Sequence, residues 1–565
     1  MDRRTFFNYM VMSGLISLLA TKGSSLSSEK EQEPNEQKNI DNLIKKEKIA
    51  SSTTKLVNVS DYGSLVSGIT NNRATIDANT QAIQTAINAV GRQGGGIVQI
   101  PEGKYQIAPP DLSDQKAASI VINYNNITLT GAGIGKTILY CRGDWSLIKK
   151  RVLRGIGILI AGTRPPEKPR QNITLQNFEL VGGLPEFQGY TANRGFPAHT
   201  TTGDGWDITH KGICLDFDRS LDNITIDRVS VHDFRGELIY AGGGGVGNLK
   251  ITNCQLFNSN GSLLSLDANL TVTNCDFGRT ATAWIENAPV SPNKSYTFSG
   301  CKFHDSLDHG LVLAQGQIHL EGRKALITNC EFRNAGDGIS IFGGINDCTA
   351  QNNKFFDCKI ALFVNSGNRA IKFLENQINN QEKATFVTII FGDVRDVLIK
   401  GNTFTASTTA GQSIAMYYSG NLSNIKVLNN TFQNCLTPQQ TNKLYHERPL
   451  FEGNQYLNCT SQVNQGYFLI PNGQPLEPKC EVCQIVNNGS NSIELVNIAT
   501  SYYADGQKII VTGGSLNKQV KLPRRSDSIE CSKERALNGS KGQKLTLQFD
   551  KAALKWKEVS YVEEN

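Results

Sequence analysis

The chain has little of what builds long helices or membrane spans. Among 565 residues there are only four Met and four Trp, against 53 Gly, 24 Phe and 16 Tyr, with abundant Asn and Thr. That composition suits short strands and tight turns and argues against an all-α fold. Beyond the N-terminus no segment reaches the roughly 18 consecutive apolar residues that span a bilayer. No run of Lys and Arg interleaved with aromatics is present, and 57 basic against 51 acidic residues leave a net charge of only +6. Nucleic acid is therefore not an expected partner. The thirteen cysteines include one C-x-x-C, Cys480 and Cys483. It has no second pair at metal-ligand spacing, which argues against zinc and leaves a local disulfide or simple burial.

The first residues place Arg3 and Arg4 before Phe6, Phe7 and an apolar stretch from about Tyr9 to Ala20. This pattern resembles a twin-arginine export signal, with an uncleaved N-terminal anchor as the alternative and no other membrane contact expected. With residues 1–23 as signal, 24–54 follow as a polar, charged tether too poor in apolar residues to order itself. The folded part is expected from Lys55. A twin-arginine substrate folds in the reducing cytoplasm before reaching the periplasm or the exterior, so free thiols are expected.

Lys55 to Ile107 reads as strand, helix, strand. Ala82, Ile83, Ala86, Ile87 and Val90 recur at helical spacing, with Asp77 or Asn79 available as N-cap and Gly91 just past the end. The strand GIVQIPEGKYQI follows. The sequence VNVSDYGSLVSG, then TQAIQTAINAVGRQGGGIVQIPEGKYQI, resembles the opening of the rhamnogalacturonase and epimerase-like branch of the pectate-lyase superfamily. Tyr62, Gly63, Pro101, Gly103 and Tyr105 fall where that family's pattern wants them. The resemblance implies an all-β, single-stranded right-handed parallel β-helix (pectin-lyase-like) with an N-terminal capping helix. It further implies a polysaccharide substrate.

Residues beyond the opening carry one phrase many times over: NITLQNFEL from Asn172, NLKITNCQL from Asn248, NLTVTNCDF from Asn269, KALITNCEF from Lys324 and NIKVLNNTF from Asn424 are examples. After the first few, which carry longer insertions, the phrase returns every 21 to 29 residues. One such coil cannot bury its own apolar face, so stacking is obligatory and like residues should form ladders along the axis. Cys254, Cys275, Cys301 and Cys330 occupy one place in the phrase and read as stacked, buried thiols. A second strand follows in each coil, as in GELIYAGG and HGLVLAQG, and no Asn-Gly hairpin intervenes, which predicts parallel pairing. A propeller would need four-strand units near 40 residues. The expected organisation is a β-helix over 55–459 and a small β-region over 460–565, in which the last segments read as short antiparallel strands.

On such a stack, outward residues line up about 4.8 Å apart, so acids on neighbouring rungs reach the roughly 5 to 9.5 Å separations that glycosidases use. The densest run of acids and histidines is the second-strand set. Asp267, Glu286, Asp308 and His309 are the candidate catalytic residues, with acids as general acid and base and His309 orienting one of them. Trp284, two residues before Glu286, offers a face for a pyranose ring, and Glu237 and Asp337 are further candidate substrate contacts. The long insertion Gly182 to Gly212 adds Trp206 and His199. Ca2+ at Asp204 or Asp207 is the one ion considered, without EF-hand spacing. No other cofactor is expected. Asp308-His309-Gly310 precedes Gly336-Asp337-Gly338 in the wrong order for a polygalacturonase, whose other motifs are absent. Hydrolysis, elimination and epimerisation remain open, as does a non-catalytic glycan-binding or cell-surface solenoid. A monomer or trimer is expected.

Overall fold

The computed structural model describes residues 55–563, apart from 111–116, 142–154, 184–210, 314–322, 381–385, 407–413, 445–449 and other breaks of five residues or fewer. The expected signal and tether over 1–54 lie outside the described residues. From Leu56 the chain winds into a parallel β-helix whose coils contribute strands to three faces. The first face holds strands such as Asn248–Thr252 and Asn269–Thr273. The second holds Gln255–Ser259, Asp276–Thr280 and Lys302–Ser306. The third holds Glu237–Ala241, Gly261–Ser265, Ala283–Asn287 and His309–Leu313. The third face is a 12-stranded sheet, whereas the other two merge into one of 25 strands because Arg170–Val181 and Leu221–His232 run through both.

The phrase explains the coil. Along Asn269–Thr273, Leu270 and Val272 are buried while their neighbours face outward, as period-two alternation requires. Asn274 then turns the chain at φ +53°, as Asn253, Asn329 and Asn352 do in their own rungs, and Gly300 takes that place in its rung. Asn tolerates this left-handed region better than other side chains. After the turn the chain re-enters the core with Phe277, Phe303, Phe332 and Phe355, whose rings stack at 4.9, 4.8 and 4.8 Å. Each such pair adds about 0.5–1.5 kcal/mol beyond its burial.

The residue following the turn forms a second buried column, occupied first by thiols and then by amides. Asn353, Asn376, Asn402 and Asn430 each donate Nδ2 to the Oδ1 of the next Asn at 2.9–3.0 Å. Each also donates Nδ2 to a carbonyl of the preceding rung, namely Ile327, Ala350, Phe373 and Ile399. In the earlier rungs Cys254, Cys275 and Cys301 make the same bond through Sγ, to Ile226, Ile251 and Val272, at 3.5–3.6 Å. The junction is direct: the Cys330 amide donates to Asn353 Oδ1 at 2.9 Å. The eleven cysteines whose side chains are described are all buried free thiols. Cys480 lies outside the described residues.

The capping helix, α1, runs over Arg73–Gly91, one turn earlier than its apolar spacing suggested. Asn72 is the N-cap, its side chain accepting from the Ala74 amide at 3.0 Å. Asp77 is instead paired with Arg73 at 2.8 Å. Asn79, the other expected cap, is fully buried and holds Val66 through both its amide and carbonyl. Gly91 is the last helical residue rather than the one just past the end, and a Cβ there would meet the Tyr124 ring at 2.2 Å. The apolar stripe of α1 joins the main core over the first coils, which covers apolar groups that an open end would leave to water.

The C-terminal region holds the expected antiparallel strands and, before them, further parallel ones. Gln465–Leu469, Val482–Val486 and Lys508–Thr512 pair in parallel, as do Ile493–Glu494 and Gln519–Leu522. The coil thus persists after the phrase has disappeared. Lys544–Asp550 runs antiparallel to both Lys508–Thr512 and Lys555–Val562, the last of which pairs in parallel with Ile529–Glu530, and Arg535–Asn538 runs antiparallel to Gln519–Leu522. They close over a separate core in which Trp556 is fully buried and donates Nε1 to the Ala499 carbonyl at 2.9 Å.

The amide column predicts a graded result. Asn402→Ala leaves the Phe373 carbonyl and the Asn376 amide groups without their partner in the core and should cost at least about 2 kcal/mol, read as a lowered urea midpoint. Asn402→Cys, which restores the bonding used in the earlier rungs, should recover part of that loss. Equal midpoints for Ala and Cys would show that the column bonds carry no weight.

Candidate active site on the third face

The outer surface of the third face changes character along the axis. Its first rungs are apolar: Ala118, Ile156 and Cys214 are buried there in a cluster separate from the main core, with Val121, Leu159 and Tyr240 packed against them. Register then brings Ile213 opposite Ile239, which sets Lys211 opposite Glu237 on the next rung. The two form a buried ion pair, their side chains only 4% and 6% exposed, and the Lys211 ammonium sits 4.3 Å over the Tyr240 ring. Burial, then the charge of Glu237, pushes the Tyr240 phenol well above its ordinary range, so it stays protonated. Nearby, Asp216 is buried and accepts from the Gly162 amide at 2.9 Å. Charges are removed from water in this way where they are paired, and such sites are frequently functional.

The column that holds Lys211 and Glu237 continues through small residues, since Glu237 pairs with Gly261 and Ala283 pairs with His309, which in turn pairs with Asp337. Three of the expected residues, Glu237, His309 and Asp337, therefore share one register position on successive rungs. Asp337 is half-buried and accepts from Ser340 Oγ at 3.1 Å. Glu237, expected to face a substrate, is instead committed to Lys211 beneath the surface, because the ammonium needs a partner once it is buried. Glu286 sits in the adjacent column, in register with Leu264 and Val312 and two rungs from Tyr240. Trp284 shares its strand. Asp267, Asp308, Trp206 and His199 lie outside the described residues, as do Asp204 and Asp207. Among the described residues no group of three or more His, Cys, Asp or Glu is arranged to hold a metal.

Lys211 and Tyr240 escaped the sequence reading. Taken from their glycines, GICLDFD and GELIYAGG match Gly212 to Gly236, whereas the sheet pairs residues 26 apart, and only that offset makes Lys211 and Glu237 neighbours. Two imidazole clusters on the second face were also missed as clusters. His232 bridges Asp233 at 2.8 Å and Glu179 at 3.1 Å, and His304 bridges Asp305 and Asp276, both at 2.9 Å. Burial pulls His232 down, but its hydrogen bonds to the two carboxylates outweigh that and hold it up at about 9. For His304 the bond to Asp276 leads, against burial and with help from Asp305, and the result is again about 9.

Comparison with known proteins agrees with this architecture. A family model described as a right handed beta helix region matches residues 204–317 and 289–442. One stretch of 88 residues is 33% identical to alginate lyase 7 of Azotobacter vinelandii, covering 16% of this chain and 9% of that protein. A stretch of 89 residues is 32% identical to the mannuronan C5-epimerase AlgE1 of the same organism, covering 16% and 6%. The chain thus matches less than a tenth of the length of either relative. Among solved structures it is similar to the A-module of the A. vinelandii mannuronan C-5 epimerase AlgE6. The TM-score is 0.51 at 18% identity, over 71% of this chain and 98% of that module. The fold is a right-handed parallel β-helix of the pectate-lyase-like type.

The imidazole clusters set a pH dependence. Their protons are held to about pH 9 in the folded chain, against 6.5 for an ordinary histidine. Each cluster therefore adds stability in full below about 6.5 and loses it as pH rises through about 9. An NMR titration should place both imidazole midpoints near 9, with Asp276→Asn lowering that of His304 and leaving that of His232 in place. A wild-type His304 midpoint near 6.5 would contradict the arrangement.

Proposed function

We propose that this chain is an exported enzyme that modifies a uronate-containing polysaccharide on the outer surface of the third face. The observation that carries the reading is the buried Lys211–Glu237 pair packed on the ring of the protonated Tyr240. Proton abstraction next to a uronate carboxylate builds negative charge on that carboxylate, and a cation fixed in a low-dielectric site offsets it. Lys211 supplies the cation. Tyr240 supplies a proton, either to the leaving glycosidic oxygen in elimination or to the opposite face of the same carbon in epimerisation.

The base then comes from the rungs that follow, which carry Glu286 and His309, with Asp308 next to His309 in sequence and Asp267 just after Gly261–Ser265. Trp284, Asp337, Trp206 and His199 are assigned to substrate contacts. The short matches to an alginate lyase and to mannuronan epimerases support proton abstraction over hydrolysis. The paired Arg3 and Arg4 support export, and the free thiols fit a chain that folds before it leaves the cytoplasm.

The test is product analysis with the full chain on alginate and on neutral polysaccharides, reading unsaturated uronate by ultraviolet absorbance, C5 inversion by NMR, and reducing ends. Unsaturated or inverted uronate is expected. Tyr240→Phe, which keeps the ring under Lys211, should lower turnover by about a hundredfold without moving the thermal midpoint. Reducing ends without unsaturation would make the enzyme a hydrolase. Silence across the panel with retained glycan binding would make it a non-catalytic solenoid.

A further inference from the structure

The repeated phrase sets a baseline for what each position holds, so a residue that breaks it needs a cause. At the turn between the first and second faces, the left-handed residue is Asn or Gly on every described rung from Asn177 to Gly453 except two, Arg228 and Glu375. Asn and Gly bear that backbone at least cost, yet Arg228 takes it at φ +51°. Glu375 is met by the Gln351 side-chain amide at 2.9 Å. Arg228 is met by a second departure from the repeat.

One outward column of the first face runs rung by rung through Thr128, Thr174, Thr225, Lys250, Thr271 and Thr297. Lys250 interrupts the threonines, is exposed, and lies one rung beyond the strand that ends at Arg228. The two cations line a groove of about 320 Å³ together with Thr225, Thr252, Thr273 and Asn274. Asp227 lines it too, but its oxygens are engaged. Its Oδ1 accepts from Thr252 Oγ1 at 2.8 Å and Asn253 Nδ2 at 2.9 Å, and its Oδ2 pairs with Arg228 Nη1 at 2.7 Å. Arg228 Nε donates to Asn177 Oδ1 at 2.7 Å. These bonds fix the guanidinium and leave its Nη2 without a partner among the described residues, where the Lys250 ammonium has none either. One carboxylate offsets one of two cations, so the groove carries a net positive charge amid hydroxyls and amides.

We propose that this groove binds an oxyanion carried on a polysaccharide, a uronate carboxylate or a sulfate ester, on a face that the third-face reaction does not use. Arg228 Nη2 and the Lys250 ammonium hold the anion in charge-assisted bonds. The guanidinium is already fixed by Asn177 and Asp227, so little freedom is lost when it binds. Threonine hydroxyls and the Asn274 amide bond the sugar's own hydroxyls. At about ten times the ~30 Å³ that a water molecule occupies, the groove is too roomy for a bare ion and suits a sugar ring. The strained backbone at Arg228 is what places a cation where the repeat would put a neutral Asn. The inference stands whether or not the third face turns over a substrate.

Affinity electrophoresis of the full chain tests it, in native gels containing alginate, carrageenan or dextran, with each mobility referred to an empty gel. Retardation is expected in the alginate gel, the carrageenan gel or both, which tells carboxylate from sulfate, and not in dextran. Arg228→Asn with Lys250→Thr puts the repeat's own residues back. That pair should weaken retardation at least tenfold while the thermal midpoint holds or rises, because the strain at 228 is relieved. Lys372→Thr with Lys426→Thr removes two charges from the same column outside the groove and should leave retardation within about twofold of the wild type. The proposal fails if neither acidic gel retards the wild type, if dextran retards it as strongly, or if the first pair is retarded as the wild type is. It also fails if the second pair loses as much as the first, which would make the binding a diffuse effect of charge.

Discussion

Everything in this molecule depends on how one coil holds the turn of the coil before it. Between the first and second faces the chain must bend sharply in the interior, which strands an amide and a carbonyl from the strand ladder. Asn353 answers both for the preceding rung, accepting from the Cys330 amide and donating to the Ile327 carbonyl. Its own turn is then answered by Asn376. A buried polar group left without such a partner costs more than the bond itself contributes, so the column enforces register as much as it adds stability. With the register held, the Phe stack, the outward columns and the spacing of every functional group follow from the strand separation.

Much of this could be read from the chain before any coordinates. The Asn-Cys and Asn-Asn pairs, the alternating strand and the returning Phe announce a stacked coil because each coil solves the same local problem with the same residues. What could not be read was the offset between coils on the third face. Insertions there vary, so the phrase gives no fixed count from one rung to the next, and the opposition of Lys211 to Glu237 appears only when the sheet supplies the offset of 26. The C-terminal coils were hidden for a related reason: Lys508–Thr512 pairs in parallel without the Asn turn that marks the earlier rungs. The start of α1 was misjudged because Asn79 has the chemistry of a cap yet spends it on Val66 in the interior.

The site residues divide along the same line. Glu237, His309 and Asp337 were picked as isolated acids and a histidine, and the fold gathers them in one column, but it also buries the first of them against a lysine. Acid density in a sequence locates a face; it does not tell which acids remain open to a ligand. On the second face the reverse holds. His232 and His304 look unremarkable in sequence, each merely followed by Asp, and only rung-to-rung placement brings Glu179 and Asp276 to their far nitrogens.

The reversal of strand direction at the C-terminus has a wider consequence. A parallel stack is polar, like a filament with two unlike ends, and each end exposes a template on which a further coil, from the same chain or another, could be laid. At one end α1 lies across the opening. At the other, Lys544–Asp550 runs antiparallel to both of its neighbours, Lys508–Thr512 and Lys555–Val562, and the hairpin buries Trp556. Beyond that hairpin the sheet ends on Ile529–Glu530, only two residues long and too short an edge to template a further coil. Among the described residues the repeat is thus interrupted at both ends by elements that break its parallel register.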